Sequence, residues 1–155
     1  LAFHIQDSII LSGLIPKTSK KVLDFGSGSG LPSVILANER PDLNVVAIES
    51  KAKKRTFIIK MKELYCLNNL IVFEGDIQQY LSTFPKKIEC LTAKAFASLD
   101  KIYSILKRSN KSCNYIFIPI SYNQSQTVYK HLSDQIIIKK IQNVNFYYLA
   151  IFNKS

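Results

Sequence analysis

Val22-Leu23-Asp24-Phe25-Gly26-Ser27-Gly28-Ser29-Gly30-Leu31-Pro32 carries a short apolar run straight into three alternating glycines and then a proline. Such punctuation reads as a strand, a tight turn and the start of a helix, since proline is favoured at the first helical position. Glycines are needed where the backbone must turn sharply and let another group approach closely. The amides at the helix start are then left to donate hydrogen bonds.

Outward from this loop the same alternation recurs. Short runs rich in apolar residues at 21–25, 44–49, 70–73, 88–93 and 115–120 predict strands. Helix-period segments at 32–38, 52–67, 77–82 and 99–107, with a weaker one at 124–132, fall between or after them. That is the pattern of a parallel sheet covered by crossover helices. Two further strands, 135–142 and 146–152, are separated only by Asn143-Val144-Asn145, too short for a helical crossover and rich in turn-forming Asn. An antiparallel hairpin is expected there, and residues 2–14 read as an added amphipathic helix. The fold class predicted is therefore α/β: a doubly wound, Rossmann-like, seven-stranded and mostly parallel sheet ending in a C-terminal antiparallel hairpin. Class I S-adenosylmethionine-dependent methyltransferases use this arrangement more than dehydrogenases do. In the helix at 52–67, Phe57, Ile58, Met61, Leu64 and Tyr65 share a side and are expected to pack on the sheet.

The chain has 155 residues, 47% hydrophobic and 21% charged, with five Gly and five Pro, the composition of a single folded domain over 1–155. Its apolar-looking stretches, such as Tyr115 to Ile120, are far below the roughly 20 residues of a membrane helix, so no membrane partner is expected. Asp7 interrupts the start where a signal peptide needs an apolar run. Residue 1 is Leu rather than Met, from which a non-standard start or lost upstream sequence is expected. Cys66, Cys90 and Cys113 are widely spaced without a CxxC, so reduced core thiols, a cytoplasmic location and no metal are expected. A formal charge of +10 favours a polyanionic partner. Part of it is also what AT-rich coding produces without selection, since only Arg40, Arg55 and Arg108 are arginines.

The loop excludes one obvious ligand class. A dinucleotide fingerprint wants a third glycine where this chain has Leu31, and it lacks the acidic residue that Asp24 supplies two places before Gly26. A carboxylate there repels a pyrophosphate and suits a ligand with ammonium and sulfonium groups, which points to S-adenosyl-L-methionine as cofactor. Glu49, at the end of the second strand, is placed to accept two ribose hydroxyls, and Asp76, after the third, to reach an adenine amino group. Each has an ordinary alternative as a helix cap. The candidate cofactor-binding residues are Asp24, Gly26, Ser27, Gly28, Gly30, Leu31, Glu49, Ser50, Asp76 and Ile77.

These residues resemble the RsmG (GidB) family, methyltransferases that modify guanine N7 in bacterial 16S ribosomal RNA. His4-Ile5-Gln6-Asp7-Ser8 is similar to its HxxDS, and Asp24 to Pro32 to its D-G-S-G-A-G-L-P loop. Glu49-Ser50 with Lys53-Lys54 and Phe57-Ile58 is similar to its E-S-x-x-K-K/R-x-x-F-L, and Ala93 to Leu99 to its R-A-F-A-S-L. The departures are Ser33 for a second glycine, Lys94 for arginine, Ile118-Pro119-Ile120-Ser121 where Lys-Gly is usual, and an expected absence of the family's upstream helical segment.

The resemblance implies an enzyme methylating guanine N7 of 16S rRNA, with naked rRNA or the small ribosomal subunit as partner, and a monomer is expected. Lys94, His4 and Asp7 are the candidate catalytic residues, His4 and Asp7 as a wall of the cleft or, more blandly, as part of a solvent-facing stripe. Phe96 is a candidate stacking ring for the guanine or, equally, a buried ring under the loop. Lys51, Lys53, Lys54, Arg55 and Lys62 are the candidate RNA-binding residues, with Lys51, Arg55 and Lys62 expected on the outer side of their helix. Guanine N7 has a lone pair and no proton, so alignment rather than a general base is what the site must provide. Alternatives are a decayed remnant that only binds S-adenosylmethionine or RNA, a small-molecule methyltransferase, and, least, a dehydrogenase.

Overall fold

A computed structural model describes residues 2–27, 30–84, 87–93, 99–120, 136–140 and 147–151. The elements run α1 (Ala2–Leu14), β1 (Lys21–Phe25), α2 (Ser33–Glu39), β2 (Asn44–Glu49), α3 (Ala52–Leu64) and β3 (Leu70–Glu74). There follow α4 (Ile77–Thr83), β4 (Lys87–Thr92), α5 (Leu99–Arg108), β5 (Ser112–Ile120), β6 (Ile136–Lys140) and β7 (Tyr147–Ile151). The helix expected at 124–132 and the turn at 143–145 lie outside the described residues.

Five strands pair in parallel in the order β3-β2-β1-β4-β5. Beyond β5, β7 pairs antiparallel with it through Ile118↔Leu149, and β6 pairs antiparallel with β7. Alternation along the parallel strands feeds two cores, because successive side chains point to opposite faces. Leu23, Phe25, Val46, Ile48, Leu91 and Ile116 meet Ile77, Tyr80 and Leu81 of α4 and Ile102, Ile105 and Leu106 of α5. On the other face Val22, Val45 and Ala47 meet Leu11 of α1, Val34, Leu36 and Ala37 of α2 and Ile58 of α3. Cys90 and Cys113 are buried, and burial pushes their thiols up to about 11 and about 12, so they stay protonated filler. Cys66 departs from the expectation of core thiols: it is exposed, at φ 52° just past α3.

The expected inner side of α3 is corrected. Only Ile58 of the predicted set is buried, Met61 is partly so, and Phe57, Leu64 and Tyr65 are 48%, 69% and 55% exposed. The covered stripe is instead Arg55, Ile58, Met61 and Lys62, because β3 is the terminal strand of the sheet and a helix at a sheet edge finds a narrow surface to cover. Arg55 and Lys62, expected outside with Lys51, therefore face inward along with it.

Arg40 ties α1 to this frame. Its side chain is 4% exposed, and it donates to the carbonyls of Ser12 at 2.9 Å and Ile15 at 2.8 Å and to both oxygens of Asp42 at 2.9 and 2.8 Å. Arg40 thereby satisfies one of the orphan carbonyls in the last turn of α1 and the carbonyl just beyond it.

Candidate functional site

In a parallel sheet all strands deliver their C-terminal ends to one edge, and at an open α/β edge that is where ligands bind. A cavity of about 480 Å³ lies there, within the range of small-molecule sites, about 300–1,000 Å³. Gly26 from the first loop, Ile48 through Lys51 from the end of β2, Gly75 through Gln78 from the β3–α4 turn, Lys54 of α3 and Ile105 of α5 line it.

The glycine loop is held from below. Gly26, at φ 64°, donates its N–H to the Ile48 carbonyl at 2.9 Å, and Ser27 donates to the same oxygen at 3.3 Å. Gly30, at φ 85°, donates to the Ser27 carbonyl at 2.9 Å and starts α2 through Val34 N–H at 2.7 Å. The Ser27 hydroxyl donates to the Asp24 carbonyl at 3.1 Å and lies 3.3 Å from the Ser33 hydroxyl, which itself donates to Asp24 Oδ2. Asp24 lies beneath the loop, 1% exposed, rather than on the cavity wall. Burial pushes its carboxyl up from 3.8 to about 7, against the lowering effect of the hydroxyls of Ser33 and Ser27. Its Oδ1 and the hydroxyl of Thr92, its register partner on β4, are both buried without a hydrogen-bond partner among the described residues. Ser33, the departure noted in the sequence, is thus the group that engages Asp24.

Glu49 ends β2, is 5% exposed, and accepts from Lys51 N–H at 3.2 Å through Oε1. Asp76 realises its capping alternative fully: Oδ1 accepts from Gln79 N–H at 2.8 Å while Gln79 Oε1 accepts from Asp76 N–H at 2.7 Å. It lines the cavity at the same time. Gly75, at φ 150°, lets the chain pass there, because a Cβ would stand 2.6 Å from Gln79 Oε1 and 2.9 Å from the Phe73 ring.

Of the predicted residues, Gly26, Glu49, Ser50, Lys51, Lys54, Asp76 and Ile77 come together at the cavity. Asp24, Ser27, Gly30 and Leu31 form its floor and the adjoining turn. Asp7 and Ser8 are 2% and 1% exposed, so the solvent-facing alternative for them is corrected; α1 turns that face inward. His4 is in α1 but its side chain, like Gly28, Lys94 and Phe96, lies outside the described residues. Lys53 is exposed on α3. Lys62 Nζ donates to the Leu70 carbonyl, and Arg55 donates to the carbonyls of Glu49 at 2.9 Å and Ser50 at 2.6 Å and reaches Glu74 at 3.4 Å. Sequence reasoning missed Ile48, Gly75, Gln78 and Ile105 as lining residues; Ile48 and Gly75 were legible as the neighbours of Glu49 and Asp76. Gln78 was legible from its place beside Asp76; Ile105 was not, since only tertiary packing brings α5 there. Among the described residues no group of three or more His, Cys, Asp or Glu is placed to hold a metal, and no helix is long and apolar enough to cross a membrane.

Compared with known proteins, residues 1–151 match the family model of GidB, rRNA small subunit methyltransferase G. A ribosomal RNA small subunit methyltransferase G of Nitrosomonas europaea is 28% identical over 141 residues, 89% of this chain and 64% of that protein. One from Burkholderia ambifaria is 36% identical over 107 residues, 67% of this chain and 47% of the other. One from Thermobifida fusca is 35% identical over 99 residues, 64% of this chain and 40% of that protein. The chain thus spans roughly half the length of the curated relatives it matches. Among solved structures, M. capricolum TrmK in complex with S-adenosyl-homocysteine superposes with a TM-score of 0.66 at 18% identity, covering 100% of this chain and 69% of the other. A precorrin-6y C5,15-methyltransferase of Geobacter metallireducens gives 0.67 at 17% identity, covering 97% and 88%. Both likenesses show the Rossmann-like α/β methyltransferase fold.

Proposed function

This chain belongs to the rRNA small subunit methyltransferase G family, and on that premise we propose that it transfers a methyl group from S-adenosyl-L-methionine to N7 of a guanine in 16S ribosomal RNA. The observation that carries the reading is the cavity at the C-terminal edge of the sheet, with Gly26 on one side and the carboxyl groups of Glu49 and Asp76 at the other strand ends. The antiparallel pair β6 and β7 is read as the C-terminal hairpin of the seven-stranded class I methyltransferase sheet.

The residues present fit the cofactor. Ile48, Ile77 and Ile105 give apolar walls for a flat base, Glu49 an acceptor for ribose hydroxyls and Asp76 an acceptor for an adenine amino group. Asp24, below the loop, braces the glycine turn from beneath through the hydroxyls of Ser27 and Ser33. When bound, S-adenosylmethionine supplies an electrophilic methyl group on a sulfonium. The chain's part is to hold that group and a guanine in line, because N7 has a lone pair and no proton to lose. His4, Asp7 and Lys94 are assigned to positioning the guanine, and the exposed Lys51, Lys53 and Lys54 to contacts with the RNA backbone.

Calorimetry with S-adenosylmethionine and S-adenosylhomocysteine, followed by incubation with 16S rRNA or small subunits and mass spectrometry of the digested RNA, tests this. Binding of both ligands and N7-methylguanine as product are expected. No heat with either ligand overturns the enzyme reading; methyl on another atom overturns the N7 assignment.

A further inference from the structure

Arg55 departs from the role its charge implied. A guanidinium that meets phosphate is presented to solvent, whereas this side chain is 13% exposed and spends its donors on the protein. Nη1 donates to the carbonyls of Glu49 and Ser50 at 2.9 and 2.6 Å, and Nη2 lies 3.4 Å from Glu74 Oε1. Glu49 and Glu74 are register partners at the ends of β2 and β3. One side chain on α3 therefore joins the ends of the two adjacent strands whose turns both line the cavity, Glu49 to Lys51 after one and Gly75 to Gln78 after the other. It engages the Glu49 backbone rather than its carboxylate, which fixes the strand end while leaving the carboxylate's direction to the turn.

We propose that Arg55 is a positioning residue for the ribose subsite: its fork holds the ends of β2 and β3 in register so that the Glu49 carboxylate meets the sugar hydroxyls of a nucleoside while the Asp76 turn meets its base. The inference rests on the S-adenosylmethionine reading of the cavity and adds to it the residue that sets the spacing. A rigid planar fork is what such a staple needs, and the point charge of lysine is a poor substitute. Arg55 then contributes to nucleoside affinity and nothing to the RNA salt dependence.

The test is a cycle of two ligands and two proteins, read by calorimetry: S-adenosylhomocysteine and its 2′-deoxy analogue, with wild type and Arg55→Gln. In wild type the missing hydroxyl should weaken binding by about tenfold or more, the loss of a hydrogen bond to a charged acceptor. In Arg55→Gln that penalty should shrink to about threefold or less, because the strand end that carries the carboxylate is no longer held in place. Arg55→Lys should follow Arg55→Gln, and carries the comparison should the glutamine variant fail to fold by its melting curve. The slope of log affinity for RNA against log salt should stay at its wild-type value in both. Equal weakening of both ligands, leaving the hydroxyl penalty at its wild-type size, makes Arg55 merely structural and overturns the proposal. A flatter salt slope also overturns it, returning Arg55 to the RNA surface. If wild type binds S-adenosylhomocysteine but shows no hydroxyl penalty, the ribose assignment and the proposal fall while the methyltransferase reading stands; if it binds neither ligand, the methyltransferase reading falls and the proposal with it.

Discussion

A carboxyl that is 1% exposed, with one oxygen bonded to Ser33 and the other without a partner among the described residues, costs more to ionise in the fold than in the open chain. Asp24 accordingly keeps its proton in the folded state up to about pH 7, while the unfolded chain releases it near 3.8. Between those values the unfolded state binds fewer protons, so this residue makes stability fall as pH rises from about 4 to about 7. Asp24→Asn should remove that slope and be more stable than wild type at pH 8 by a few kcal/mol, with little gain at pH 4, in urea titrations at the two values. Asp42 has the opposite sign. The hydrogen bond from Arg40 holds its carboxyl at about 2, and the stability it gives is present above about pH 4 and lost toward pH 2. At Gly30 the backbone takes φ 85°, and a Cβ would stand 3.0 Å from Val34 Cγ2 and 3.3 Å from Ile58 Cγ1. Gly30→Ala should therefore cost roughly 1–3 kcal/mol. In a domain of this size that lowers the melting temperature by about 3–10 °C.

Elements differ in how far their own residues specify them. The parallel strands are short runs of apolar residues whose placement survives almost unaltered, because a strand buried on both faces announces itself by hydrophobicity alone. α3 is helical where expected, yet its buried stripe is Arg55, Ile58, Met61 and Lys62. Periodicity gives the helix, and the narrow edge of β3 chooses which side is covered. α1 depends on one distant residue, Arg40, whose guanidinium reaches the carbonyls of Ser12 and Ile15 across 28 and 25 positions. Arg40→Ala leaves those carbonyls and Asp42 without that donor and should destabilise the protein by about 3 kcal/mol, as breaking a buried charge network does. Hydrogen exchange should show the loss first in the amides of α1 rather than in β1 or β2.

For the molecule as a whole, a charge of +10 is a statement about partners more than about the fold. Its distribution on α3 separates lysines by use: Lys51, Lys53 and Lys54 are exposed, while Lys62 is bonded to the Leu70 carbonyl. Lys53→Gln, which leaves the cavity lining untouched, should flatten the slope of log affinity against log salt by about 0.7 for single-stranded RNA, one phosphate contact. Lys62→Gln should leave it unchanged. Filter binding from low to moderate salt decides both, and an unaltered slope for Lys53→Gln assigns that residue to the solvated surface.

The amino-acid sequence by itself determined the order of strands and helices, the glycine turn after β1 and the family, because hydrophobic period, glycine and local motif are properties of neighbouring residues. It also placed Glu49 and Asp76 at strand ends, from which their meeting at one cavity follows once the sheet is parallel. Only the tertiary structure decided that Asp24 lies beneath the loop with a raised pKa, that Asp7 and Ser8 face inward, and that Arg55 staples β2 to β3. Each of these depends on burial and on partners far along the chain, and a desolvated carboxyl or a guanidinium between two strand ends has no signature in the residues beside it.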